Sequence, residues 1–155
     1  MAKELEIGDK APALSLPDQS GERVSLKDFT GKQVVLYFYP KDDTPGCTKE
    51  SCDFRDSITP IEKAGAVILG VSLDDKESHQ KFIKKFDLPF TLLSDEETTV
   101  SKAYRCYKEK NMYGRKYWGI ERSTFVIGHA GKLKAIFRKV KVGNHVDDVL
   151  AVLKA

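Results

Sequence analysis

The sequence predicts an α/β fold in which helices cover both faces of a mixed central sheet, as a three-layer α/β/α sandwich. Three observations lead to this prediction. Residues 34–39 and 66–73 are apolar runs without polar alternation, as expected of strands buried on both faces. Segments with helical periodicity alternate with these strands. Residues 123–127 and 133–138 are separated by a short turn containing glycine and are expected to pair antiparallel.

The first elements lead to the central strand of the predicted sheet. Residues 13–16 and 23–26 flank a run of turn-forming residues and are expected to form a short hairpin. Residues 34–39 follow as the central strand, and Pro40 ends it because proline supplies no N–H to a strand ladder. The segment from Cys47 to about Ser57 contains neither glycine nor proline, which predicts a helix.

Shorter elements complete the middle of the chain. Thr59 and Pro60 resemble an N-cap followed by a first-turn residue, so a second helix is expected to open there and to close at Gly65. A strand is predicted at residues 66–73. A helix is predicted at residues 78–86, where three apolar side chains share one face: Phe82, Ile83 and Phe86.

The last predicted elements are a strand at residues 91–93, a helix at residues 98–104, the antiparallel pair, and a final helix with Asn144 as its N-cap. The final helix carries one apolar stripe: Val146, Val149, Leu150 and Leu153. The order is therefore β-α-β-α-β, a helix, then β-β-α. This is the layout of the thioredoxin fold, extended by an N-terminal β-hairpin.

Length and composition favour one folded unit. A chain of 155 residues is the size of a single domain, and 41% hydrophobic with 32% charged residues is typical of a globular protein. No repeat, low-complexity tract or linker divides the sequence. We therefore expect one domain over residues 1–155.

Charge and hydropathy argue against nucleic acid and membrane as partners. The formal net charge is only +3, from 26 Lys and Arg against 23 Asp and Glu, and the basic runs at residues 102–116 and 132–141 are expected to be solvated faces. Residues 1–12 lack the apolar core of a secretory signal, and no stretch approaches the roughly 18 apolar residues of a membrane span. These features predict a cytoplasmic protein.

Any functional cysteine of this sequence is expected to act as a reagent and not as a structural crosslink. An odd number of cysteines in a chain of this size does not suggest a structural disulfide framework. Cys47 follows the central strand at the point where a loop becomes a helix, which is the end of an α/β sheet where ligands bind. The unpaired N–H groups and positive dipole of a helix start favour the thiolate, the reactive form of cysteine.

The residues around Cys47 form a specific motif. Pro40, Thr44 and Cys47 match the pattern P-x-x-x-[TS]-x-x-C, and Cys52 follows five residues after Cys47. Further matches extend over nearly the whole chain: GDKAP at residues 8–12, YFYP at 37–40, LLSD at 92–95, GIERSTF at 119–125, and Asn144 with His145. In these features the sequence resembles the peroxiredoxins, and in particular the peroxiredoxin Q branch, the bacterioferritin comigratory proteins.

This resemblance implies a role for each matched residue. Cys47 would be the nucleophile that attacks a peroxide oxygen and becomes a sulfenic acid. Arg122, expected on the strand beside the Cys47 strand, would stabilise the thiolate and orient the peroxide, although taken alone it would suggest a surface ion pair with Glu121. Thr44 would hold the peroxide with its hydroxyl, and Pro40 would shield the sulfur from water.

The resemblance also implies that Cys52 resolves the sulfenic acid as a disulfide. Residues five apart in one α-helix have Cα atoms roughly 8.5 Å apart, whereas a disulfide needs less than about 7 Å. The helix is therefore expected to unwind before Cys47 and Cys52 join. The alternative for Cys52 is a small buried hydrophobe, and Cys106, which lies outside any family motif, is interpreted as core filler in preference to a second resolving thiol.

By the same resemblance, the protein is expected to reduce hydrogen peroxide and organic hydroperoxides without haem, flavin, metal or any other cofactor. Its disulfide would be reduced by a dithiol partner, thioredoxin or a glutaredoxin-type protein. Members of this branch are often monomeric, so a monomer is expected.

The residues alone leave other functions open. A thiol-disulfide oxidoreductase of the same fold would have two residues between its cysteines, instead of the four between Cys47 and Cys52. A metal carrier would use both cysteines with a histidine. A chaperone-like role for overoxidised protein is a third alternative.

The sequence indicates no catalytic role for the histidines or for the aromatic residues at positions 113, 117 and 118. None of the three histidines has metal-ligand spacing: His79, His129 and His145. His145, just inside a helix start, is expected to be a packed or capping residue. Three aromatic residues either line the mouth of the site or pack against the protein: Tyr113, Tyr117 and Trp118.

Overall fold

The computed structural model describes residues 4–155, so the first three residues of the predicted domain lie outside it. Its strands are β1 Ser15–Pro17, β2 Arg23–Ser25, β3 Gln33–Phe38, β4 Ala66–Ser72, β5 Thr91–Ser94, β6 Tyr107–Met112, β7 Arg115–Ile120, β8 Ser123–Ile127 and β9 Leu133–Arg138. Its α-helices are α1 Pro45–Asp56, α2 Ile58–Lys63, α3 Lys76–Phe86, α4 Thr99–Ala103 and α5 His145–Lys154. One turn of 3-10 helix covers Leu26–Phe29.

Five strands form a mixed central sheet in the order β5-β4-β3-β8-β9. Strands β3, β4 and β5 run parallel, whereas β8 lies antiparallel to β3 and β9 antiparallel to β8. In this register Phe38, the last residue of β3, lies opposite Ser123, the first residue of β8. The end of β3 and the beginning of β8 therefore lie side by side at one end of the central sheet.

Alternation along β3 divides the core into two layers. Val35 and Tyr37 face the cluster formed with α1, α2, α3 and α5. Val34 and Leu36 face the opposite cluster, which includes the hairpin β1–β2, the 3-10 turn and α4. The prediction of a thioredoxin-like three-layer sandwich with an N-terminal hairpin is confirmed. No helix within residues 4–155 is both long enough and apolar enough to cross a membrane.

The helix that carries the cysteines begins earlier than predicted. Thr44 occupies the N-cap position and Pro45 the first helical position, so Cys47 is the third residue of α1. Proline suits this position because its fixed φ is helical and the first-turn N–H groups have no intrahelical acceptor. The helix is uninterrupted as far as Asp56.

The predicted start of the second helix is wrong by two residues. Ser57, and not Thr59, is the N-cap of α2, and Pro60 occupies the third helical position. This position also accepts proline because it lies in the first turn, where N–H groups lack intrahelical partners. Gly65 follows the end of α2 with a φ of +75°, as its predicted closing role requires.

The sequence prediction missed the two-stranded ribbon β6–β7. Its strands are joined by Tyr113 and Gly114, with φ values of +53° and +80°, which is the left-handed conformation of a two-residue hairpin turn. Most of the ribbon is exposed, so it lacks the apolar alternation by which strands are recognised. The sequence feature that could have predicted this hairpin was its two-residue turn, Tyr113 and Gly114, which ends in glycine.

Candidate active site

Cys47 lies fully buried at the start of α1. It follows β3 by way of the loop that contains Pro40 and Thr44, at the carboxyl end of the central strand. As the third helical residue it belongs to the first turn, where backbone N–H groups are unpaired and the helix dipole is positive. The dipole at such a helix start interacts favourably with negatively charged groups.

The guanidinium of Arg122 contacts the Cys47 sulfur directly. Arg122 immediately precedes β8, and its Nη2 donates to Cys47 Sγ at 3.2 Å. The approach depends on Gly46, because a Cβ at that position would lie 3.0 Å from Arg122 Nη2. Contrary to the alternative considered from sequence, Glu121 pairs with Lys108 and not with Arg122.

A buried carboxylate, Glu50, is the principal site residue that the sequence analysis did not identify. Its Oε1 accepts a hydrogen bond of 2.8 Å from Arg122 Nη1, while Oε2 has no hydrogen-bond partner among the described residues. Burial raises the pKa of Glu50 to about 7, although the charge of Arg122 lowers it. Glu50 follows Cys47 by three residues on one helix, and this spacing places both on the same face.

Arg122 is consequently shared between a sulfur and a carboxylate. Burial opposes its charge, but Glu50 and Cys47 together raise the pKa of Arg122 above its ordinary value. One nitrogen of the planar guanidinium is directed to each partner, which fixes the orientation of the fork. The arrangement holds a permanent positive charge against Cys47.

The other matched residues lie in the same segment. The Thr44 hydroxyl donates to the carbonyl of Lys41 at 2.9 Å, and the Thr44 side chain is half-buried. Pro40 is also half-buried and lies just beyond the end of β3. Cys52 is half-buried and lies on the same continuous helix as Cys47, and both are free thiols.

Comparison with known proteins identifies the family. The model of the AhpC/TSA family matches residues 7–136. The putative peroxiredoxin bcp of Coxiella burnetii is 53% identical over 149 residues, covering 96% of this chain and 99% of the relative. Peroxiredoxin Bcp of Bacillus subtilis is 53% identical over 150 residues, covering 97% and 96%. The chain belongs to the AhpC/TSA family.

Solved structures agree with this assignment. Peroxiredoxin Q of Xanthomonas campestris superposes with a TM-score of 0.86 at 47% identity, covering 91% of this chain and 89% of that one. A cysteine-to-serine mutant of PrxQ from Xylella fastidiosa gives a TM-score of 0.92 at 38% identity, covering 99% and 98%. Within the family, the chain is a peroxiredoxin of the Q (Bcp) group and thus a peroxidase.

In this peroxiredoxin, the loop before Cys47 is tied to α3 through Asp42. The buried carboxyl group of Asp42 accepts hydrogen bonds from the Tyr39 hydroxyl and from Ser78 Oγ at 2.8 Å, and it is hydrogen-bonded to His79 Nδ1 at 2.7 Å. His79 is fully buried, and its Nε2 donates to the carbonyl of Leu93 at 2.9 Å. No sequence pattern indicated that Asp42 and His79, which lie 37 residues apart, would meet.

His145 and Cys106 are core residues of this peroxiredoxin. His145 hydrogen-bonds Thr124 at 2.7 Å and packs edge-on against Phe137, which confirms the prediction of a packed residue. Burial lowers the pKa of His145 to about 4, so its ring is neutral near pH 7. Cys106 is buried in the cluster on the opposite face of the sheet, and burial raises its pKa to about 12. Burial thus disfavours the thiolate, which is the reactive form of the Cys106 side chain.

Proposed function

We propose that the chain reduces hydrogen peroxide and organic hydroperoxides with Cys47 as the attacking nucleophile. The observation that carries this proposal is the contact of 3.2 Å between Arg122 Nη2 and Cys47 Sγ at the start of α1. A cation and a helix start both favour the thiolate, and the thiolate is the form that attacks. A relative from Xanthomonas campestris, 46% identical, is described as having alkyl peroxide reduction activity.

In the first step the Cys47 thiolate attacks one oxygen of the peroxide. A sulfur–oxygen bond forms as the oxygen–oxygen bond breaks, and the departing oxygen takes up a proton to give water or an alcohol. Negative charge moves from the sulfur to the departing oxygen during this step. Arg122 stabilises charge along that path because its fork is already oriented, and Glu50 is the positioning residue that holds the fork.

Thr44 and Pro40 complete the proposed substrate pocket. The Thr44 hydroxyl donates to a carbonyl, and its oxygen retains lone pairs that accept a hydrogen bond from the peroxide. Pro40 has no N–H to attract water and shields the sulfur. Both roles are supported by the position of these residues in the loop that leads to Cys47.

Cys52 is proposed to resolve the resulting sulfenic acid. Its thiol condenses with the oxidised Cys47 to give a disulfide and one molecule of water. Because both residues lie on the uninterrupted helix α1, their Cα atoms are about 1.5 Å too far apart for this bond. The first turns of α1 must therefore unwind in every cycle.

The cycle closes when a dithiol partner reduces the disulfide. We assign this role to thioredoxin or a glutaredoxin-type protein, and we propose a cytoplasmic monomer that consists of one domain over residues 1–155. Haem, flavin and metal have no part in the proposed steps, since sulfur supplies both electrons to the peroxide.

Single-turnover oxidation followed by intact-mass analysis and peptide mapping tests this proposal. One equivalent of peroxide is expected to remove two hydrogens from the reduced protein and to link Cys47 to Cys52. Cys47→Ser is expected to abolish peroxide consumption, and Cys52→Ser to retain the first turnover but stop thioredoxin-linked cycling. Cys106→Ser is the matched control and should cycle normally. Full cycling by the Cys52 variant would eliminate Cys52 as the resolving thiol.

Two of the three alternative functions find less support in the geometry. A metal carrier would place cysteine sulfurs away from cations, whereas here a guanidinium contacts the Cys47 sulfur. A thiol-disulfide oxidoreductase needs a nucleophile that a protein disulfide can reach, and Cys47 is fully buried. A small peroxide is a better match for a recessed sulfur.

A further inference from the structure

The buried residue Asp42 holds the loop between β3 and α1. It lies two residues after Pro40 and two before Thr44, the residues that the proposed mechanism places around the peroxide. The backbone N–H of Asp42 donates to the Asp74 carboxylate at 2.8 Å. Tyr39, which precedes Pro40, donates its hydroxyl to the Asp42 carboxyl group. The loop is thus fixed on both sides of Pro40.

The same carboxyl group joins the loop to α3 and β5. Ser78 Oγ donates to Asp42 Oδ2 at 2.8 Å, and His79 Nδ1 lies 2.7 Å from that oxygen. His79 in turn donates from Nε2 to the carbonyl of Leu93, a residue of β5, at 2.9 Å. Neither α3 nor β5 belongs to the part of α1 that must unwind for disulfide formation. The loop is therefore anchored to elements that stay folded during the cycle.

The Asp42–His79 pair is electrically neutral in either arrangement of its proton. The Leu93 carbonyl only accepts hydrogen bonds, so His79 Nε2 carries a hydrogen. One further proton then lies between His79 Nδ1 and Asp42 Oδ2. The pair is either an imidazolium with a carboxylate or a neutral ring with a carboxylic acid. The anchor therefore adds no net charge to the loop that leads to Cys47.

The backbone directly after Asp42 has an uncommon conformation. Asp43 has a φ of +58°, in the left-handed region that few non-glycine residues adopt. Such a conformation persists where the surrounding contacts over-determine it. Here these contacts are the Asp42 network and a pair of 2.8 Å between the Asp43 carboxylate and Lys85 Nζ of α3. This turn sets the position of Thr44, the N-cap of α1.

We propose that Asp42 and His79 are positioning residues for the oxidation of Cys47. Their anchor holds Pro40 and Thr44 in place beside the start of α1, so that the peroxide enters a pocket that is already formed. Because unwinding begins beyond Thr44, the anchor takes no part in the later formation of the disulfide. This inference rests on the proposed function and adds two residues to its first step.

Separate measurement of the two chemical steps tests this role. Rapid mixing with hydrogen peroxide, an alkylating quench and mass analysis give two rate constants. The loss of reduced protein is second order and depends on peroxide concentration, whereas the appearance of the disulfide is first order and does not.

Four variants distinguish positioning from general destabilisation. Asp42→Ala and His79→Leu break the anchor, and Ser78→Ala removes one of its hydrogen bonds. Asp42→Asn is the conservative variant, because its amide donates to a neutral His79 ring and keeps the pair uncharged. Leu133→Ala, in the buried cluster on the opposite face of the sheet, is the control for lost stability.

Asp42→Ala and His79→Leu are expected to lower the oxidation rate constant about tenfold, the effect of one broken buried hydrogen bond, and to leave disulfide formation nearly unchanged. Ser78→Ala should lower oxidation about threefold and decides the question if the larger changes prevent folding. Asp42→Asn should keep most of the wild-type rate. Leu133→Ala should change neither rate constant, although it lowers the free energy of unfolding.

Three results would overturn the positioning role of Asp42 and His79. They are an unchanged oxidation rate constant in the anchor variants, an equal fall in both chemical steps, and a fall of the same size in Leu133→Ala. Oxidation of the wild-type protein at Cys47 reports separately on the proposed function, because it does not depend on any anchor variant.

Discussion

Replacement of Glu50 by glutamine should change how the stability of the protein depends on pH. The Glu50 side chain is fully buried, and its Oε2 has no hydrogen-bond partner among residues 4–155, so its ionised form is poorly solvated. Glutamine has nearly the same shape, stays neutral at every pH and retains an oxygen to accept from Arg122. The variant therefore removes the titration with little change in packing.

The magnitude follows from the pKa of Glu50, which burial raises from 4.5 to about 7. A folded-state pKa above the unfolded one means that the folded protein holds the proton more tightly. The contribution of protonated Glu50 to the free energy of unfolding is complete below pH 4.5 and is lost as the pH rises through 7. This difference amounts to about 3 kcal/mol of the free energy of unfolding between pH 4.5 and pH 8.

The assay is urea denaturation of the reduced protein, followed by circular dichroism at several pH values. His145, whose pKa is lowered to about 4 and whose Nε2 lies 3.8 Å from Glu50 Oε2, has the opposite pH dependence, so the informative quantity is the difference between variant and wild type. Glu50→Gln should gain about 3 kcal/mol relative to wild type as the pH rises from 4.5 to 8. Glu62→Gln, at an exposed position of α2, is the control. A difference that does not vary with pH would refute the argument that burial destabilises ionised Glu50.

Three further outcomes are expected. Arg122→Met should lower the rate constant for oxidation by hydrogen peroxide by about 10²–10³, the cost of removing one fixed donor in a transition state. Arg122→Lys should recover only part of the lost rate, because an ammonium lacks the planar fork. Stopped-flow measurement of protein oxidation checks both variants, and an unchanged rate in Arg122→Met would contradict the role of Arg122. Gly70→Ala should lower the free energy of unfolding by about 2 kcal/mol or more, because its Cβ would lie 2.7 Å from Leu92 and 2.8 Å from the Tyr37 ring. At Gly143 a Cβ would have no neighbour within 4 Å, so Gly143→Ala should leave thermal unfolding nearly unchanged. The Cys106 thiol should resist iodoacetamide near pH 8 until the protein is unfolded, since burial raises its pKa to about 12; peptide mapping that finds it labelled in the folded protein would contradict its buried position.

The neighbourhood of Asp42 and His79 shows where prediction from sequence stops. Each residue lies in its own local element, a loop and a helix, and neither element carries a signal that the two meet. Their hydrogen bond of 2.7 Å exists because β3 and β4 are parallel neighbours, so the loop after β3 and the helix α3 after β4 begin at the same end of the sheet. The same applies to Glu50, whose pairing with Arg122 spans 72 residues.

The sequence by itself determined the order of the principal strands and helices, because apolar runs and helical periodicity are local properties of the chain. It also determined that Cys47 lies near the start of a helix that follows a buried strand, and the family motif indicated Arg122 as its partner. Only the tertiary structure decided that Glu50 shares the guanidinium of Arg122 and that α3 anchors the loop that leads to Cys47. These are contacts between segments distant in sequence, and they arise from the pairing of β3 with β4 and with β8. The ribbon β6–β7 also became visible only in the tertiary structure, because its strands bury too little apolar area to leave a sequence pattern.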